Sequence, residues 1–121
     1  MIERKCSCEM GMHRAPLERY IIESGAVNRL PELLRDYNKV YMVCDENTYR
    51  VLGERAEQIL KSVGKFSHKH ILKGDVLPDA RNIGDVLIHL NDPKADSDIF
   101  KYSPQPDFIL AVGSGVVNDV C

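Results

Sequence analysis

The segment Asp107–Cys121, DFILAVGSGVVNDVC, runs from an apolar stretch straight into Gly113-Ser114-Gly115. Glycines placed directly after a strand let backbone N–H groups approach a phosphate closely. A helix starting behind them would aim its positive end at the same anion. The spacing is not G-x-G-x-x-G, because Asn118 holds the sixth position, and no Gly-Lys-Ser/Thr follows as a Walker loop requires. A plain strand-to-helix turn, with glycine serving tight packing, is the competing reading. Asp45 ends another apolar run, KVYMVCD. A dinucleotide-binding fold can place such an acid on a ribose hydroxyl; the competing role is a helix N-cap ahead of ENTY.

Cys6, Cys8 and His13 form C-x-C-x4-H. Three soft ligands could hold zinc, but a closed structural site takes four. The ordinary expectation is therefore no metal, with residues 1–16 an irregular, solvated arm. His68 and His70 alternate on a predicted strand and share one side. No carboxylate or third histidine stands at metal-motif spacing from them, so they read as an exposed pair, and His89 as a surface or boundary residue. Cys44 reads as a small core residue.

These side chains need a scaffold. The chain has 121 residues, enough for one domain, with 44% hydrophobic and 28% charged residues. A formal net charge of −2 gives no basic field for nucleic acid, and 7% aromatics without Trp do not suggest base stacking. The charged start MIERKCSCEM lacks the apolar stretch of a signal peptide, and no span is long enough to cross a bilayer. The expected location is the cytoplasm, where four cysteines are thiols rather than disulfides.

Apolar periodicity supplies the elements. Tyr20–Ile22 reads as a short strand, and Val27, Leu30, Leu33 and Leu34 fit one helical face, with Pro31 in its first turn. Lys39–Asp45 is a continuous β-rich run, suited to a strand covered on both faces. Val51, Leu52, Ala56, Ile59, Leu60 and Val63 recur at helical spacing before Gly64. Phe66–Leu72 reads as a second strand. Asp79 then caps a helix with Ala80, Ile83, Val86, Leu87 and Leu90 on one face, stopped by Pro93. Residues 94–107 are turn-rich, and Phe108–Val112 is a third buried-type strand. This alternation predicts an open, mainly parallel Rossmann-like α/β sheet with helices on both faces.

Four segments together, CSCEMGMH, IIESGAVNRLPELL, KVYMVCDENTYRVLG and DFILAVGSGVVNDV, resemble the start of sn-glycerol-1-phosphate dehydrogenases. These belong to the superfamily of glycerol dehydrogenases, iron-containing alcohol dehydrogenases and dehydroquinate synthases. The resemblance implies an NAD- or NADP-binding domain over residues 17–121. Gly113, Ser114 and Gly115 match the pyrophosphate loop, with Ser114 replacing the middle glycine. Asp45 and Asn47 match positions near the adenosine ribose. Asp119 matches the acid closing Gly-Gly-Gly-x-x-x-Asp, toward nicotinamide and substrate. Asp75 loosely matches an acid at the adenosine end.

The reaction so implied is hydride transfer between dihydroxyacetone phosphate and glycerol 1-phosphate. It is assisted by zinc, or by nickel or iron, held in a helical C-terminal domain. That domain is absent here, so the chain is expected to be an incomplete, truncated nucleotide domain. It would carry no catalytic residue unless Asp119 reaches the substrate, would be inactive alone, and would be prone to homo-oligomerise. A glycerol dehydrogenase or dehydroquinate synthase relative is the alternative within the superfamily. A standalone flavodoxin-like or receiver-like module is the alternative outside it.

Overall fold

A computed structural model describes residues 2–90 and 105–121. Pro93 and most of the turn-rich stretch 94–107 lie outside them. The described residues form a two-stranded antiparallel hairpin, β1 (Ile2–Lys5) with β2 (Met12–Ala15), and a three-stranded parallel sheet. The sheet comprises β3 (Val40–Asp45), β4 (Phe66–Leu72) and β5 (Phe108–Val112), in the order β4-β3-β5. A 3-10 turn (Ala26–Arg29) leads into α1 (Leu30–Leu33). After β3 come α2 (Glu46–Thr48), a π-helical turn (Tyr49–Gly53) and α3 (Glu54–Ser62). The helix α4 (Ala80–Ile88) precedes β5, and α5 (Gly115–Val120) follows it. The chain is thus α/β, a partial Rossmann-like fold.

The central strand dictates the layering. Val40–Cys44 are fully buried, so β3 has helices on both faces. Tyr41 and Val43 pack with Leu72, Val86, Val117 and Val120, which places α4 and α5 on one face. Met42 and Cys44 pack with Ala56 and Val112, and Val40 with Leu34 and Leu60, which places α1 and α3 on the other. Each of the buried Val, Leu and Met side chains contributes about 1.5–3 kcal/mol relative to exposure. The start of the sheet is pinned separately. The Asp107 carboxylate accepts from the backbone N–H groups of Asn38 (2.8 Å) and Lys39 (2.7 Å), joining the entries of β5 and β3.

Four expectations change. The irregular arm is a hairpin: Gly11 sits at φ 66, a turn conformation that favours glycine, and Cys6 N–H donates to Gly11 O at 2.8 Å. The strand expected at Tyr20–Ile22 does not form; Tyr20 and Ile22 are exposed and belong to no strand pair among the described residues. On the second helical segment, Val51, Leu52 and Val63 are exposed while Gly53, Ala56, Glu57 and Leu60 are buried. The π turn inserts an extra residue and rotates the buried stripe out of simple 3.6-residue phase. On α4, Val86 is the buried member of the expected face, whereas Ala80, Ile83 and Leu87 are exposed.

Candidate functional site

The C-terminal ends of the three parallel strands open into one cleft of about 520 Å³. It is lined by Asp45, Glu46 and Asn47 after β3, Gly74–Leu77 after β4, and Ser114 and Val116 after β5. Its position follows from topology. The chain leaving β3 passes to the face of α3, whereas the chain leaving β5 passes to the opposite face with α5. Adjacent strands whose connections diverge leave a crevice at their carboxyl ends, where open α/β sheets bind ligands.

Asp45 occupies the N-cap of α2. Its carboxylate accepts from Thr48 N–H at 2.7 Å, and Thr48 Oγ1 accepts from Asp45 N–H at 3.1 Å, a reciprocal capping box. The capping role read from sequence is therefore real, and it fixes the carboxylate at the cleft wall. Asn47 Oδ1 accepts from Arg50 at 2.8 Å. Asp75, joined to the site only by a loose match, stands with Asp45, Asn47 and Ser114 along the same cleft.

The two glycines differ. A Cβ at Gly113 would lie 2.5 Å from Val117 Cγ2, so this glycine lets α5 close onto β5. A Cβ at Gly115 would meet nothing within 4 Å. The space beside it is open among the described residues, and Gly115 itself is not part of the cleft lining, which takes its neighbours Ser114 and Val116. Ser114, at the N-cap of α5, makes no side-chain cap. Asp119 is exposed on α5 and outside the cleft lining.

Two clusters stand elsewhere. Cys6, Cys8 and His13 converge, their donor atoms all within 4.8 Å of one another and Cys8 Sγ 2.9 Å from His13 Nε2. Hydrogen bonds from Cys6 and then His13 bring the Cys8 thiol down to about 7. His70, Asp85 and His89 also converge: His70 Nε2 is 2.6 Å from Asp85 Oδ2, and the His70 and His89 rings stack at 4.1 Å. His68 stacks on Tyr41, and its Nε2 meets His89 O at 2.8 Å. The histidines of β4 do share one side, but they are part-buried against α4 rather than exposed. Sequence spacing misses this, because the carboxylate arrives from a helix fifteen residues later.

A further group escaped the sequence. Glu57 is buried on α3 and accepts from Lys61 (2.6 Å), Lys69 (2.6 Å) and Tyr49 (2.9 Å). Burial pushes its pKa up, but these three donors outweigh burial and hold it at about 2. Burial conversely raises the Cys44 thiol to about 11, as suits an inert core cysteine.

Known proteins supply the context. A glycerol-1-phosphate dehydrogenase [NAD(P)+] of Halalkalibacterium halodurans is 31% identical over 121 residues, covering 93% of this chain and 27% of the relative. That of Bacillus subtilis is 29% identical over 110 residues, covering 86% and 25%. A 3-dehydroquinate synthase of Staphylococcus carnosus is 29% identical over 99 residues, covering 82% and 26%. The chain is homologous to these relatives, which are named glycerol-1-phosphate dehydrogenase and 3-dehydroquinate synthase. It spans about a quarter of the length of these curated relatives. No protein-family profile and no solved structure matches it.

Proposed function

We propose that this chain is the NAD(P)-binding portion of a metal-dependent dehydrogenase acting between dihydroxyacetone phosphate and glycerol 1-phosphate. The observation that carries the reading is the convergence of Asp45, Asn47, Asp75 and Ser114, from three separate strand ends, on one cleft of about 520 Å³. The open space beside Gly115 supports a backbone approach to the pyrophosphate. In this reading Asp45, held by its capping box, would accept from an adenosine ribose hydroxyl and repel a 2′-phosphate, which favours NAD over NADP. Asp119 is assigned to the nicotinamide and substrate end by the resemblance alone, since it stands outside the cleft lining.

The cofactor, when bound, supplies the hydride acceptor; this chain's residues bind and orient it. The parent's zinc, nickel or iron would be held by an aspartate and two histidines outside these residues, and this chain alone is inactive. The outer edges of β4 and β5, unpaired among the described residues, support homo-oligomer formation. A cytoplasmic location fits the thiol chemistry; no helix among the described residues is long and apolar enough to cross a membrane. The Staphylococcus match favours a second reading, in which the parent is a dehydroquinate synthase using the same cleft.

Calorimetric titration with NADH and NADPH tests the site. Saturable NADH binding is expected, weaker for NADPH, and lost in Gly115→Val, whose side chain would stand beside Ser114 where a Cβ meets nothing within 4 Å. Asp45→Asn is expected to narrow the NADH preference. Equal heats for wild type and Gly115→Val would overturn the assignment.

A further inference from the structure

The N-terminal hairpin has paired strands but no core of its own. Among the described residues 2–15 none is buried, and its strands read IERK and MHRA, with no apolar face. An isolated two-stranded hairpin is marginal in water, and elements too small to bury a core are commonly held by a metal or disulfide. All four cysteines are free thiols.

The register explains why three ligands meet. Arg4 pairs with His13 and Lys5 with Met12, so Cys6 continues the strand face that carries Arg4 and lies diagonally across from His13. The turn then folds back. Gly11 N–H donates to Cys8 O at 2.9 Å and Cys6 N–H to Gly11 O at 2.8 Å, which returns Cys8 over the same end of the ladder. Its Sγ reaches 2.9 Å from His13 Nε2, and the three donor atoms lie within 4.8 Å. Tetrahedral zinc, with bonds of about 2.3 Å to sulfur and about 2.0 Å to nitrogen, needs donors roughly 3.5–3.8 Å apart. Side-chain adjustments of about 1 Å deliver that spacing.

We propose that the hairpin tip is a zinc site in which Cys6 Sγ, Cys8 Sγ and His13 Nε2 bind one divalent cation, leaving the fourth tetrahedral position to water. Two thiolates and an imidazole select a soft or borderline ion such as zinc over magnesium or calcium. Binding displaces the thiol protons to solvent, and no redox step is involved. The metal supplies the stabilisation that burial does not, so the hairpin is ordered when loaded. The site uses no residue of the strand-end cleft and does not depend on the cofactor reading.

The test is titration of the reduced, metal-stripped chain with Zn2+ against a chromophoric chelator, with metal content measured after gel filtration. One tightly held zinc per chain is expected. The Cys6→Ser/Cys8→Ser double variant is expected to weaken binding by more than about 100-fold, beyond the usual loss of a supporting contact. His13→Gln weakens it less, and His70→Gln leaves it unchanged. Co2+ substitution is expected to give a thiolate charge-transfer band that the double variant lacks. The exposed hairpin lets these variants keep the sheet, which circular dichroism verifies. Zinc retained by the double variant, zinc lost instead with His70→Gln, or no zinc retained by the wild type would each overturn the proposal.

Discussion

The parallel sheet and the N-terminal hairpin both pair their backbones in regular ladders, yet they are held by different physics. In β3, five consecutive side chains are removed from water and packed against helices on both faces. In the hairpin, the side chains remain at the surface, where charged pairs such as Glu3–Arg14 at 3.0 Å add little. The sheet is therefore committed to structure, and its chemistry is displaced to loops at its rim. The hairpin keeps its side chains available for chemistry and has little else to hold it.

The largest effect should separate the two regions directly. Met42→Ala, at a fully buried position, is expected to cost about 2–5 kcal/mol in urea denaturation. Met12→Ala, on the exposed hairpin, should stay within about 0.5 kcal/mol. Similar losses would mean that the hairpin is packed into the core.

Next, Gly113→Ala drives a methyl into Val117 and is expected to cost about 1–3 kcal/mol. Gly115→Ala should leave stability unchanged or raise it by up to about 1 kcal/mol, because the new methyl meets nothing and helix entropy improves. Thermal melts of the pair measure how far the packing demand differs between the two glycines.

Glu57→Gln is expected to cost about 1–3 kcal/mol at neutral pH, since Lys69 loses its charged acceptor. Because the folded pKa lies below the ordinary glutamate value, this stabilisation is complete above about pH 4.5 and is lost as pH falls toward about 2. Denaturation midpoints across that range should converge for wild type and variant. A gap that persists at the acid end would contradict the assigned network.

What was legible in the sequence follows the same division. VYMVCD and FILAV announce buried parallel strands, because a strand covered on both faces must be apolar throughout. IERK and MHRA announce nothing, because a hairpin without a core has no alternation to show. The apolar run at Tyr20–Ile22 misleads for the converse reason: apolar character predicts a strand only where a partner exists. The site was half legible. Asp45, Asn47 and Ser114 were found through motifs and do share the cleft, but the ways Gly113 and Gly115 divide their work depend on the distance to Val117. The joining of His70 to Asp85 depends on which helix covers β4, and the pairing of Glu57 with Lys69 on a π turn that no residue pattern announces.

Whether the strand-end cleft receives the nicotinamide cofactor, as proposed above, is decided by amide-resolved NMR during NADH titration. Saturable shifts are expected at Asn47, Asp75 and Ser114, with the amides of His70, Arg81 and Asp85, in the separate cleft beside α4, unmoved. Shifts confined to that second cleft, or none that saturate, would contradict the proposal.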